Sequence, residues 1–451
     1  MTESYNIIKI YRKVGIGQIT IPKDIALLVC LSILIYVYFV GFFTYNFGMP
    51  VTVYYITDVL LLICLLISLS RFLKAILYKR LNLFSLLVVV LLMICTGSAV
   101  LNGFNPLLWI WSLRNWGRFF VYFYLCVALL DEKWTDRMLK MTVNVFHVNL
   151  FVIALQYIMF RGRSQDALNG LVGRDTSGAN IMLIMATTII VSSEYVLNKC
   201  KVMKLLLVYI EIMIMAVLSE LKAILLFSLA IFAFILLINS KLTKKQITRF
   251  LSILFVGIVV AVIGLRLLAK VYPQFADIIS IRGFIGAITT EGGYGNTGYI
   301  DRLTAIKVVN RDLLKSGFLQ HLFGIGMGNA EYSTSATFTS IFYNTYGPLY
   351  RYLNFCVAIL YIEGGYIGFG LYVVLFAVVI RSCWKRINKL KVKQGIQTKC
   401  FYESVGMGMA CLGFIFIWYN NLLRTDMSVL MAFYMAIPFA LDRRRKNVVK
   451  F

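Results

Sequence analysis

The sequence predicts an all-α polytopic membrane protein of about twelve transmembrane helices, and three observations carry that expectation. Hydrophobic residues fill 60% of the 451 positions and charged residues only 14%, with a mean hydropathy of +0.81, a balance outside the range of soluble globular domains. Apolar runs near twenty residues recur along the chain, each able to cross a ~30 Å hydrocarbon layer at ~1.5 Å per residue. The net charge of +25 sits in short Lys and Arg blocks between those runs, the pattern of loops kept on the cytoplasmic side. No basic patch interleaved with aromatics stands outside this pattern, so nucleic acid is not an expected partner. The nine cysteines form no CxxC pair and lie mostly in apolar runs, which argues against a disulfide framework or a zinc site.

Taken in order, the N-terminal segment carries Lys9, Arg12, Lys13 and Lys23 and leads directly into a full-length span at 25–45. It reads as a cytoplasmic segment without a cleavable signal peptide. Further spans are expected at 51–70, 83–101, 115–130, 141–160, 179–197, 203–219, 222–239, 250–270, 357–380, 404–420 and 426–441. The basic blocks at 71–80, 133–140, 199–204, 241–249, 381–399 and 443–450 then share one side, so both termini are cytoplasmic. Only Ser219 to Lys222 (SELK) separates 203–219 from 222–239. A single helix over both would reach ~55 Å, far more than the hydrocarbon layer needs, and a tight hairpin is expected instead. The chain reads as one transmembrane domain over 1–451, with one long extracytoplasmic loop at 271–356 and no internal repeat.

Polar residues gather at the outer edge of this arrangement. Arg174 lies in the loop RGRSQDALNGLVGRDTSGAN (Arg161 to Asn180), Lys222 in the hairpin, and Arg302 and Arg351 in the long loop. Arg114 and Arg118 flank the outer start of the fourth span, and Arg424 that of the last. A cation at the bilayer boundary is costly without a partner, and guanidinium groups match phosphate oxygens in bidentate geometry. Together they suit an anion held at headgroup depth, such as the pyrophosphate of a polyprenyl-linked sugar, and would stabilise charge growing on it as a glycosidic bond breaks. The sequence has no P-loop, HExxH or DxD-type acidic pair in an outer loop, so no metal, ATP or other cofactor is expected.

Within the long loop, Leu303, Ile306, Val309 and Leu313 recur at helical spacing over Asp301–Ser316, opposite a stripe of Lys307, Arg311 and Lys315. This predicts an amphipathic helix on the membrane surface, with Arg302 projecting ~140° away from the basic stripe. FGIGMGN (Phe323 to Asn329) is spaced like a nucleotide loop but follows no strand, so close backbone packing or a turn is expected. Tyr343, Tyr346, Tyr350 and Tyr352 form an aromatic stretch suited to a lipid interface or to stacking on sugar rings. Of the two histidines, His147 lies inside the fifth span as a packed or interhelical hydrogen-bonded group, and His321 precedes FGIGMGN.

In their order along the chain, NGLVGRDTSGAN, LSELKAILL (Leu218 to Leu226), Gly298 to Arg302, LFGIGMGN and ILYIEGGYIGFGLYVVLF (Ile359 to Phe376) resemble the O-antigen ligase and polymerase superfamily, which includes the Wzy-type repeat-unit polymerases. The resemblance implies a GT-C-like glycosyltransferase, metal-independent, that acts at the outer face of the cytoplasmic membrane on undecaprenyl-diphosphate-linked oligosaccharide. It places Arg302 at the family's long-loop arginine and Lys222 at its hairpin arginine, a change that keeps charge but loses the planar fork. Arg174 falls where polymerases carry basic residues, with Arg351 and Arg118 as further pyrophosphate ligands. The ligase branch has a His-Asn pair where this chain has Asn354 and Phe355. That departure favours polymerase over ligase and leaves acceptor activation to Glu363, Asp301 or His321 by residue type. A flippase and a chain-length regulator are the partner proteins such a polymerase implies. A transporter of lipid-linked oligosaccharide is the alternative from another class, but the chain lacks repeat halves and has only six prolines.

Overall fold

The computed structural model describes residues 23–160, 168–173, 178–219, 221, 224–239, 299–314, 317–392 and 397–448, with isolated helical positions between 248 and 270. Every regular element among the described residues is helical. The long helices are α1 (Lys23–Phe47), α2 (Ile56–Ile76), α3 (Asn82–Leu101), α4 (Pro106–Leu129), α5 (Glu132–Met159), α6 (Gly178–Val196), α7 (Val202–Leu218) and α8 (Ile224–Asn239). Short helices α9 (Ala305–Val308), α10 (Phe318–Phe323) and α11 (Ile341–Tyr350) follow, then α12 (Cys356–Val392), α13 (Gln397–Tyr419) and α14 (Ser428–Val448). Among the described residues seven helical stretches are long and apolar enough to cross a membrane, as in a membrane-spanning protein.

Local chemistry sets several boundaries. Asn105 caps α4, accepting from the Leu107 and Leu108 amides at 3.0 and 3.3 Å with Pro106 at the first helical position, so α4 starts well before the expected 115. Asp131 caps α5 from the Trp134 amide at 2.9 Å. α7 and α8 form the expected hairpin, with the Tyr209 hydroxyl donating to the Ser228 carbonyl at 2.9 Å. The expected span at 250–270 lies largely outside the described residues.

Burial separates centre from periphery. The most apolar windows of α6 and α13 are each 83% buried, whereas those of α2 and α3 are 22% and 33% buried and turn Leu62, Leu66, Leu86 and Met93 outward. α4 threads the centre, with Phe119 and Phe123 buried against Phe84, Phe376 and Phe439 and the buried Tyr122 hydroxyl donating to the Cys30 carbonyl at 2.8 Å. One end of the bundle is tied by ion pairs: Arg80 to Glu403 at 2.6 Å, Arg386 to Asp442 at 2.7 Å, and Arg444 to Asp131 at 3.3 Å. The described part of the long polar interval closes the other end.

Two features of that interval position the site. The amphipathic helix expected over 301–316 is instead the single turn α9 followed by a π turn at Val309–Leu313. Its inward side is Ala305, Val309 and Leu313, whereas Leu303 is 56% exposed, and Lys307 and Arg311 face outward as expected. The register is held by Asn310, which accepts from the Tyr361 hydroxyl at 2.6 Å and donates to that of Tyr366 at 2.9 Å, both on α12.

FGIGMGN is the second feature, and it is the close-packed turn expected of it. α12 is interrupted at Gly365, whose φ is +60°, which leaves carbonyls free. The Ile325 amide donates to the Ile362 carbonyl at 2.8 Å and the Gly326 amide to that of Glu363 at 3.0 Å. The loop thereby supplies the hydrogen bonds that α12 loses, as a broken helix requires at membrane depth. Gly324, Gly326 and Gly328 all have positive φ. A Cβ on Gly326 would come within 2.0 Å of the Ala99 amide nitrogen, so the loop is wedged backbone-to-backbone against α3.

Candidate active site

The arginines described at this end in and beside α4, α11 and α14 and next to Asp301 fall into two groups according to what meets their charge. Arg118, buried within α4, bonds Asp58 through Nε at 2.9 Å and Nη2 at 3.2 Å, and Arg114 reaches the same carboxylate at 2.8 and 2.5 Å. Asp58, in the first turn of α2, therefore holds both arginines to the α2–α4 wall. Arg424 precedes α14, is buried, and pairs with Glu331, with Glu363 3.9 Å away. Burial opposes the Arg424 charge, but Glu331 and Glu363 outweigh it and push the pKa above its ordinary value.

Arg302 and Arg351 have no carboxylate within ion-pairing distance among the described residues. Arg302 is half-buried; its Nε donates to the Tyr419 carbonyl at 3.3 Å, and its guanidinium lies over the Tyr419 and Phe355 rings at 4.8 and 5.3 Å. Arg351 ends α11 in the left-handed conformation, is exposed, and lies over the Tyr299 ring at 4.3 Å. Their segments run side by side, joined by the Ile300 amide donating to the Tyr350 carbonyl at 2.9 Å. Two cations held by π faces rather than by carboxylates can exchange those contacts for an anion.

The turn after α13 is where the neighbouring segments meet Arg302. Phe227, near the start of α8, packs edge-on against Tyr419 with centroids 5.5 Å apart. A Cβ on Gly178, at the start of α6, would lie 3.0 Å from Nδ2 of Asn420. The Asn420 carbonyl accepts from the Cys356 amide at 3.0 Å, fixing the start of α12. Lys222 and Arg174 themselves lie outside the described residues; the starts of the helices that follow them, α8 and α6, converge on the same turn as Arg302.

The acceptor-activation candidates differ sharply in surroundings. Glu363 is fully buried, and its oxygens accept from Ser112 Oγ at 3.1 Å, Trp116 Nε1 at 2.8 Å and the Gly328 amide at 2.9 Å. It faces protein on every side and joins α4, the glycine loop and α12. His321, on α10, donates from Nε2 to the Leu314 carbonyl at 2.7 Å, which fixes its tautomer and steadies the π turn. Asp301 is 5% exposed; Oδ1 accepts from the Arg302 amide at 2.6 Å, and Oδ2 is buried without a hydrogen-bond partner among the described residues.

Sequence reasoning missed Glu331, Asp58 and Asn420. Glu331 is nearly enclosed at 2% exposure and bonds both Arg424 and Asn115, the latter at 3.1 Å. Its signal was its position directly after a glycine-rich turn in a loop poor in acids, where a lone carboxylate must find a buried partner. Around it the aromatic stretch is ordered on itself, Tyr332 stacking on Tyr343 at 4.4 Å and Phe338 on Trp111 at 4.9 Å. Burial, followed by the charges of Glu363 and Glu331, pushes the Tyr352 hydroxyl well up, so it stays protonated and donates to the Ala330 carbonyl at 2.9 Å. Among the described residues no group of His, Cys, Asp and Glu has the geometry of a metal site. No protein-family model matches the chain, and no match was found among the curated proteins.

Proposed function

We propose that this chain is a polymerase of undecaprenyl-diphosphate-linked oligosaccharide repeat units, working at the outer face of the cytoplasmic membrane with about twelve spans and both termini inside. The observation that carries the reading is the sorting of its cations. Among the described residues Arg114 and Arg118 share the Asp58 carboxylate and Arg424 meets buried Glu331, whereas Arg302 is half-buried beside the turn after α13 with no carboxylate within ion-pairing distance. A cation kept partly out of water without a counter-charge is suited to an anionic ligand, and a diphosphate at headgroup depth supplies one. Arg302 grips the donor diphosphate with Arg351, and Lys222 and Arg174 complete the clamp. Arg118, already bonded to Asp58, shapes the wall beside it.

In the reaction the acceptor hydroxyl attacks the anomeric carbon of the donor glycan and polyprenyl diphosphate departs. The clamp stabilises the charge that grows on the leaving group, and this calls for neither metal nor ATP. Arg302→Ala should abolish polymer while the protein reaches the membrane at its normal level; polymer of normal amount and length in that variant would overturn the assignment. Purified protein with a synthetic diphosphate-linked repeat unit and EDTA should give a ladder of products. A single transfer product would instead identify a ligase.

A further inference from the structure

We infer that Asp301 receives the acceptor's hydroxyl proton, an assignment that rests on the transferase reading above and adds to it the group that completes the chemistry. Among the described residues Asp301 Oδ2 is the one carboxylate oxygen that is buried without a hydrogen-bond partner. Native proteins satisfy nearly all such atoms, and an orphaned carboxylate oxygen is costly enough to need a reason. Among the described residues the other acids at this end all have partners. Glu363 is held by Ser112, Trp116 and the Gly328 amide, Glu331 by Arg424 and Asn115, and Asp58 by Arg114 and Arg118. Asp312 is paired with its exposed neighbour Arg311. His321 has committed Nε2 to the Leu314 carbonyl.

Position adds to availability. Asp301 precedes Arg302 directly, and its Oδ1 is anchored by the Arg302 amide at 2.6 Å, so base and diphosphate-binding cation share one peptide unit. Arg302 in turn contacts Tyr419, whose neighbour Asn420 has a buried Nδ2 that also lacks a hydrogen-bond partner among the described residues. One unmatched acceptor, next to Arg302, and one unmatched donor, next to the Tyr419 carbonyl that Arg302 contacts, fit a polyhydroxylated ligand: a sugar hydroxyl donates to Oδ2 while another sugar oxygen accepts from Asn420 Nδ2. Oδ2 lies below the surface, so acceptor entry must displace a neighbour. The Arg302 side chain, held by one 3.3 Å hydrogen bond and two ring faces, is the contact most readily exchanged, and diphosphate binding would exchange it.

The step balances without a further reactant. The acceptor oxygen bonds to the donor's anomeric carbon as the carbon–oxygen bond to diphosphate breaks, and that electron pair leaves with polyprenyl diphosphate. The hydroxyl proton passes to Asp301 Oδ2 and then to water.

The test uses full-length protein in detergent with a synthetic undecaprenyl-diphosphate-linked repeat unit, read as single-turnover rate, and undecaprenyl diphosphate alone, read as binding affinity. Asp301→Asn keeps the shape and the Oδ1 bond but cannot take a proton. It should slow transfer at least ~100-fold while binding stays within about twofold of wild type. A folded Asp301→Asn protein that transfers within about tenfold of the wild-type rate overturns the assignment, as does one that loses binding and turnover together, because Asp301 would then only hold Arg302 in place. Wild-type protein that neither binds the diphosphate nor extends the glycan would defeat the transferase reading itself, a result distinct from either of these.

Discussion

Arg424 and Glu331 are worth more to this protein as a pair than either is alone. Both are nearly devoid of solvent contact, at 6% and 2% exposure, and Asn115 takes up the second Glu331 oxygen at 3.1 Å. Removing one partner leaves a charge in surroundings that cannot hydrate it, a loss of about 3–5 kcal/mol, whereas removing both costs less than losing Arg424 alone, because only Glu363, 3.9 Å from the lost guanidinium, is then stranded. Arg424→Met and Glu331→Gln should each lower the unfolding temperature in detergent strongly, and the double variant should recover part of the loss. Additive losses would mean that the two side chains act separately. The pair also marks where sequence reading stops. Arg424 stood out as an outer-edge cation, but nothing local distinguishes an arginine that will meet Glu331 from one such as Arg302 that meets rings and a carbonyl. That difference depends on which distant segments pack together, and Glu331 is 93 positions away.

At the scale of elements, the glycine loop and the break in α12 are one device. Gly365 is the residue at which α12 departs from helical geometry, and its φ of +60° together with a Cβ that would sit 2.4 Å from the Leu322 carbonyl carbon excludes any other side chain. Gly326 is as constrained from the loop side, with φ +92° and α3 backbone at 2.0 Å. Gly326→Ala should therefore destabilise the protein by more than ~3 kcal/mol, the range of strain plus forced backbone movement. Gly97→Ala, on the same α3 helix with nothing within 4 Å of its Cβ, should be neutral or slightly stabilising. Comparing yield and melting temperature of the two variants checks the wedge; equal behaviour would refute it. The helices themselves were legible, because apolar runs of membrane length leave few alternatives and because Ser219 to Lys222 cannot lie inside one ~55 Å helix. The expected surface helix over 301–316 was not, since Leu303 and Leu313 obey one periodicity in sequence but a π turn at Val309–Leu313 puts only the latter inside.

For the whole molecule the decisive issue is which end of the bundle faces which compartment. The two ends differ in chemistry. One is closed by Arg80–Glu403 and Arg386–Asp442, ion pairs complete within the protein, and the other carries Arg302 and Arg351, which among the described residues have no carboxylate within ion-pairing distance. Arg80, Arg386 and Arg444 lie at the ion-paired end, and the proposed topology, which follows the positive-inside rule, has that end in the cytoplasm and Arg302 outside. Native thiols interfere little with a test, because the cysteines are buried except for Cys200 and Cys411, which are partly so. Lys307 and Lys385 are both exposed, at opposite ends, and serve as reporter positions once Cys200 and Cys411 are replaced by serine. In intact cells Lys307→Cys should react with a membrane-impermeant maleimide and Lys385→Cys should react only after permeabilisation. The reverse pattern would put Arg302 and Arg351 in the cytoplasm, where a lipid-linked repeat unit already carried to the outer face could not reach them, and the proposed polymerase would fall with it.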